Sequence, residues 1–175
     1  TVTGVNDNLD DGDVAFSIIT AAATSSDAKY SGLNAANVSV TNTDDDSAGI
    51  TVSTISGSTT EAGGTATFTV VLDSQPAANV TIGLSSSDTT EGTVSPTSLV
   101  FTRANWNSAE LVTVTGVDDD AADGDTVYSI ITAAANSSDA SYGGHDAADI
   151  TVTNLDDEGD LLFSDDFESL LPTEL

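Results

Sequence analysis

From Thr65 to Leu72 the chain alternates, with Ala66, Phe68, Val70 and Leu72 on one face and Thr65, Thr67, Thr69 and Val71 on the other. A period of two is the signature of a strand with one face in a core. The same pattern places Val80, Ile82 and Leu84 on one side of a second strand, and Val112 and Val114 on one side of a third. Applied throughout, it predicts strands at 50–55, 65–72, 79–85, 99–102, 109–117, 126–134 and 150–154, separated by Gly, Pro, Ser and Asp turns. No segment carries a 3.6-residue period over three turns. The expected fold is all-β: an immunoglobulin-like, seven-stranded antiparallel β-sandwich, occurring as tandem repeats.

The repeat is visible in the sequence itself. Residues 1–46 align with 113–158 at a constant offset of 112 without a gap, and 29 of the 46 positions are identical. A unit of this length matches a whole sandwich and not a solenoid turn. The chain therefore divides into the C-terminal part of one repeat (1–46), a complete repeat (47–158) and a tail (159–175). Thr1-Val2-Thr3 reads as the middle of a strand, so the chain is expected to be a piece of something longer.

Charge changes the picture more than composition does. The 175 residues hold 29 acids against two bases, Lys29 and Arg103, for a formal net charge of −27. Such a chain repels nucleic-acid phosphate and anionic membrane surfaces, and its natural partners are cations. There is no cysteine, so neither a disulfide framework nor a thiolate metal site is available. No apolar run reaches the 18 residues of a membrane-spanning helix.

The acids are concentrated. Asp118, Asp119, Asp120, Asp123 and Asp125 follow one predicted strand within eight residues, and Asp7, Asp11 and Asp13 occupy the equivalent run. Consecutive antiparallel strands alternate direction, so alternate loops share an end of the sandwich. By that parity one end collects Glu61, Asp88, Glu91, the 118–125 run and Asp156-Asp157-Glu158. The opposite end receives Asp73, Asp139, Asp146 and Asp149. Carboxylates crowded at one end cannot all remain ionised without a cation. Calcium accepts six to eight oxygens in irregular, loop-borne geometry, whereas zinc favours His or Cys. The single histidine, His145, lies at the other end and reads as a surface loop residue. Acids that merely decorate solvated turns are the simpler alternative.

Several stretches resemble the Calx-β family, the calcium-binding sandwich of sodium–calcium exchanger regulatory regions and of large bacterial surface proteins. They are Thr60-Glu61-Ala62-Gly63-Gly64, the run from Phe101 to Asn107, Val112 to Asp119, Asp123-Gly124-Asp125 and Leu155-Asp156-Asp157. The resemblance covers 47–158 and, through the repeat, 1–46. It implies calcium ligands at Glu61, Asp88, Asp118, Asp119, Asp123, Asp156 and Asp157. The crowding of the same end adds Asp120 and Asp125, and the partial copy adds Asp7, Asp11, Asp13, Asp44, Asp45 and Asp46. The family often carries Glu where Asp123 and Asp125 stand. Asn6 and Asn8 replace Asp118 and Asp120 in the copy, which weakens that site without abolishing it.

The expected function is a non-enzymatic, calcium-rigidified structural repeat of a secreted or surface bacterial protein, an adhesin stalk or extracellular fibre. Its expected partners are calcium ions and neighbouring repeats or identical subunits. The short 44–49 linker sets the first acidic end against the 135–149 loop, where calcium shared with Asp139, Asp146 or Asp149 would stiffen the array. A strand-complemented filament subunit is one alternative, since half a sandwich leaves an apolar face and open edges. A carbohydrate-binding accessory domain is another, with Trp106 and Tyr142 as the aromatic pair. The motifs Gly-x-Ser-x-Gly and His-Glu-x-x-His are missing from the sequence.

Overall fold

Strands form where apolar residues alternate, and the alternation is what they bury. A computed structural model describes residues 1–158, and the 159–175 tail lies outside the described residues. Within 1–46 there are two strands, β1 (Val14–Ile18) and β2 (Val38–Asn42), paired antiparallel. From residue 50 follow β3 (Ile50–Val52), β4 (Thr59–Thr60), β5 (Thr65–Leu72), β6 (Val80–Ser86) and β7 (Gly92–Ser95). The last four are β8 (Ser98–Phe101), β9 (Glu110–Gly116), β10 (Thr126–Thr132) and β11 (Ile150–Leu155). They build a five-stranded sheet, β4-β11-β10-β6-β8, and a four-stranded sheet, β3-β5-β9-β7. Every regular element among the described residues is a strand.

The two larger sheets share one core. Phe68, Val70 and Leu72 of β5 and Val112 and Val114 of β9 come from one sheet. Val80, Ile82, Phe101, Tyr128, Ile130 and Val152 come from the other, and all are buried in one cluster. Each such side chain contributes about 1.5–3 kcal/mol on leaving water. Trp106 packs against this core half-buried, and its carbonyl accepts the Leu72 amide at 3.1 Å.

The expected seven strands are nine, and one pairing is parallel. The predicted 50–55 strand ends at Val52. The chain follows β5 through bonds from Ser53 N to Thr69 O and Ser56 N to Thr67 O, then turns at Ser56-Gly57-Ser58. It resumes as β4 in the other sheet, parallel to β11. Likewise β7 pairs with β9 and, after Pro96-Thr97, the chain continues as β8 against β6. Each of these two stretches keeps its direction while changing sheets, so the chain still crosses the sandwich in seven passes. This is why β4 and β11, in the first and last passes, run parallel. The parity that sorted the loops into two ends survives.

Many hydrogen bonds recur at the 112-residue offset. The register Val14↔Asn42 of β1–β2 matches Thr126↔Asn154 of β10–β11. Thr20 Oγ1 donates to Ala35 O at 2.6 Å, and Thr132 Oγ1 to Ala147 O at 2.8 Å. Asn42 Nδ2 donates to Val5 O at 3.0 Å, and Asn154 Nδ2 to Val117 O at 3.1 Å.

Candidate metal centre

Four chain segments meet at one end of the larger sandwich: the turn after β4, the β6–β7 turn, the β9–β10 loop and the residues after β11. Close backbone approach makes this possible. A Cβ on Gly116 would land on the Thr60 carbonyl and the Asn154 carboxamide oxygen, so the end of β9 can lie there only as glycine. The turn after β4 closes with Gly63 N and Gly64 N donating to Thr60 O at 3.0 and 3.1 Å, with Gly63 at a φ of 81°. The Glu61 amide donates to Leu155 O at 3.0 Å, which fixes Glu61 beside the end of β11.

A buried polar network lies below. The Thr59 hydroxyl donates to Asn154 Oδ1 at 2.9 Å and lies 3.1 Å from the Tyr128 hydroxyl. Asn154 Nδ2 donates to Val117 O and, at 3.4 Å, to Glu91 Oε2. Thr59, Asn154, Glu61 and Glu91 are all buried. Burial raises the Glu91 carboxyl above its ordinary value, opposed by the Asn154 bond and reinforced by Asp123, Asp88 and Asp119.

Two carboxylate groups lie above this floor. Glu61, Asp118, Asp157 and Glu158 each bring an oxygen within 4.8 Å of the others. Glu91, Asp119 and Asp123 form a second group by the same measure. Glu61 is 2% exposed, and Glu61 Oε2 and Glu158 Oε2 are buried with no hydrogen-bond donor among the described residues. Two buried acceptors in one carboxylate group without a donor call for a shared proton, a water or a cation. The Glu158 carboxyl is accordingly pushed up to about 7, first by Glu61, then by desolvation and Asp156. The donor set is all oxygen, irregular and loop-borne, which fits calcium and gives zinc no nitrogen or sulfur.

The candidate residues divide by where the loops place them. Glu61, Asp118, Asp119, Asp123 and Asp157 enter the two groups. Asp156 acts as a clasp: its Oδ2 accepts Gly124 N at 2.8 Å and its Oδ1 accepts Glu158 N at 2.8 Å, while Asp125 Oδ1 accepts Asp156 N at 3.2 Å. Asp125 and Asp156 still line an open cleft with Asp123 and Glu158. Asp88 stands outside both groups, and its Oδ1 caps its own turn through Thr90 N at 3.0 Å and Thr90 Oγ1 at 2.5 Å. Those bonds hold its carboxyl below the ordinary value. Asp120 is exposed and belongs to neither group.

Parity sorts Glu91 and Glu158 to this end, yet neither is among the ligands expected from the sequence. The signal for Glu158 is present, since Asp46 occupies its position in the copy. Glu91 precedes β7, a strand with one half-buried apolar residue, Val94, and hence no readable alternation.

In 1–46, Asp44, Asp45 and Asp46 form a third group. The clasp recurs: Asp44 Oδ2 accepts Asp11 N and Gly12 N at 3.0 and 2.6 Å, and Asp13 Oδ1 accepts Asp44 N at 2.9 Å. Asp7 Oδ1 caps Leu9 N at 3.0 Å. Asp7 and Asp11 line a cleft with Asp44, Asp45 and Asp46. Desolvation, then Asp45, Asp44, Asp7 and Asp10, raise the Asp46 carboxyl.

This acidic end abuts the far end of the larger sandwich through main-chain and side-chain hydrogen bonds. Asn8 O accepts Gln75 N at 2.7 Å, Asp10 O accepts Ser141 Oγ at 3.2 Å, and Asp10 Oδ2 accepts Ala48 N at 2.8 Å. The acids expected to share an ion there are partly committed elsewhere. Asp139 accepts Ala77 N and Ser141 N, and Asp149 accepts Thr132 N. The aromatic pair expected for a sugar platform does not form. Tyr142 is 1% exposed, and its hydroxyl donates to Ser74 O at 2.6 Å while accepting Ser74 N at 3.0 Å. His145 is exposed in its loop, as expected.

No protein-family description matches the chain, and neither does any curated protein. Among solved structures it is similar to SSP-19, an MSP-domain protein like family member in Caenorhabditis elegans, at 15% identity and a TM-score of 0.38, over 59% of this chain and 98% of that one. It is similar to WR4, a C. elegans MSP family member, at 15% identity and 0.38, over 61% and 96%. Domains 1–6 of the surface layer protein SbsC are 19% identical at 0.35, over 69% of this chain and 14% of that one. At these scores the likenesses carry no functional argument.

Proposed function

We propose that the chain is a calcium-binding structural module, built of tandem immunoglobulin-like repeats of the Calx-β kind and working at the cell surface or outside the cell. One observation carries the reading: the buried, donorless oxygens of Glu61 and Glu158, within one four-carboxylate group. A divalent cation there removes the repulsion between these carboxylates. It also joins the turn after β4, the β9–β10 loop and the end of β11. Glu61, Asp118, Asp157 and Glu158 would hold one ion, and Glu91, Asp119 and Asp123 line a second position beside it. The role is mechanical, since tied loops fix the end of the unit against its neighbour. Extracellular modules bind calcium at about 10⁻⁴–10⁻³ M, which suits a site open to solvent on one side.

Calorimetric titration of the chelator-treated chain with calcium tests this. Binding in that range, with a melting temperature that falls in chelator, is expected. Absence of heat and of any thermal shift would reject the proposal.

A further inference from the structure

Beneath the acidic end a hydroxyl is buried against a carboxamide. Thr59 and Asn154 are each 0% exposed, and the Thr59 hydroxyl donates to Asn154 Oδ1 at 2.9 Å. The Tyr128 hydroxyl lies 3.1 Å from Thr59 Oγ1. At the other side of the carboxamide, Nδ2 donates to Val117 O at 3.1 Å and to Glu91 Oε2 at 3.4 Å. The group is thus held by its oxygen to a nucleophile and by its nitrogen to a buried carboxylate. Gly116 brings main chain against Asn154 Oδ1, where a Cβ would collide. Other hydroxyl–carboxamide pairs among the described residues are wetter and more local: Thr102 with Asn105 is part-buried within one turn, and Thr20 with Asn34 and Asn37 is exposed. Thr59 and Asn154 are 95 residues apart. They join β4 to β11, which pair at only two positions, Asn154↔Thr59 and Leu155↔Thr60.

We propose that Thr59 and Asn154 react in the folded chain to form an intramolecular ester. Rotation of the carboxamide exchanges the hydrogen bond for an approach of Thr59 Oγ1 to Asn154 Cγ. The Oγ1–Cγ bond forms and the Cγ–Nδ2 bond breaks, its electron pair going to nitrogen. The hydroxyl proton ends on Nδ2, which leaves as ammonia, so atoms balance and no oxidant or cofactor is consumed. The Tyr128 hydroxyl can take that proton while giving up its own, and Glu91 Oε2 lies beside the nitrogen that receives it. Burial supplies proximity and excludes the water that would hydrolyse the product. Ammonia that reaches solvent is protonated and does not return. The ester fastens the first pass of the 47–158 sandwich to its last, so a pull along the chain loads a covalent bond instead of two ladder pairs. The inference does not depend on calcium.

The test is the intact mass of the full folded chain, followed over days at neutral pH in calcium and in chelator. A shift of about 17 Da downward, one ammonia, is expected in at least one condition. Proteolytic mapping should then give one pair of peptides joined through Thr59 and Asn154, separable with hydroxylamine, while Asn42 stays an amide. Thr59→Ser, which keeps the nucleophile, should lose ammonia as well. Thr59→Val, which keeps the shape without the hydroxyl, should hold the mass of its sequence. A wild type that holds its sequence mass in both conditions overturns the inference. So does an equal loss from Thr59→Val, which marks an asparagine cyclising on its own main chain. If Thr59→Val does not fold, the wild-type peptide map decides alone, and a mass loss mapped to any other residues is equally fatal.

Discussion

Replacing Glu61 by Gln keeps the side-chain shape and removes one charge from the four-carboxylate group, with opposite consequences with and without calcium. In chelator, Glu61 Oε2 and Glu158 Oε2 are buried without a donor, in carboxylates of the same group. The carboxamide of the Glu61→Gln variant supplies an N–H to that group, so the variant should melt above the wild type. In calcium the order reverses. At a hundredfold excess over Kd, a ligand binding only the folded state stabilises it by about 2.7 kcal/mol. For a unit near this size that is about 10 °C, at roughly 4 °C per kcal/mol. A unit charge about 2.4 Å from a divalent ion contributes about 3.5 kcal/mol even at the dielectric of bulk water, so its loss should abolish most of that shift. The assay is differential scanning calorimetry of both proteins in calcium and in chelator. A variant that keeps the full calcium shift, or a wild type indifferent to chelator, refutes the reasoning.

Glu158, held at about 7 by Glu61, contributes stability to the calcium-free chain that is complete below its unfolded value of 4.5 and lost as pH rises through about 7. The melting temperature in chelator should therefore fall across that window while the calcium-dependent increment grows; a flat chelator profile contradicts the assignment. Gly116→Ala places a methyl against Thr60 O and Asn154 Oδ1 and should cost about 1–3 kcal/mol in urea unfolding, with weaker calcium binding. Asn154→Ala leaves the buried Thr59 hydroxyl without its acceptor and the part-buried Val117 carbonyl without its donor and should cost about 1–3 kcal/mol, whereas Asn42→Ala, at the half-exposed equivalent, should cost clearly less; equal losses would count against burial as the cause. Tyr142→Phe removes the hydroxyl that ties the 135–149 loop to Ser74, and faster amide exchange at Ala135 and Gly144 is the expected readout.

β5, β6, β9 and β10 were legible because each alternates over seven or eight residues and buries every second one. Thr59-Thr60 and Gly92 to Ser95 were not, because their strand character comes from the partners they meet and not from their own pattern. The gathering of acids at one end was also legible, since parity depends only on the number of passes, and switching sheets within a pass leaves that number unchanged.

The amino-acid sequence by itself determined the all-β character, the 112-residue periodicity and the convergence of four acidic segments, because these follow from side-chain period, self-similarity and chain direction. Only the tertiary structure decided which carboxylates meet, and which of their oxygens lie buried without a donor. Asp88 lies at the same end as Glu61, yet it caps its own turn through Thr90 and joins neither group, while Asp156 holds Gly124 and Glu158 by their amides. Glu91 and Glu158 enter in their place. Hydrogen-bond satisfaction is a property of the assembled loops, set at the scale of an ångström. No spacing in the chain encodes which of several neighbouring acids will be left without a donor.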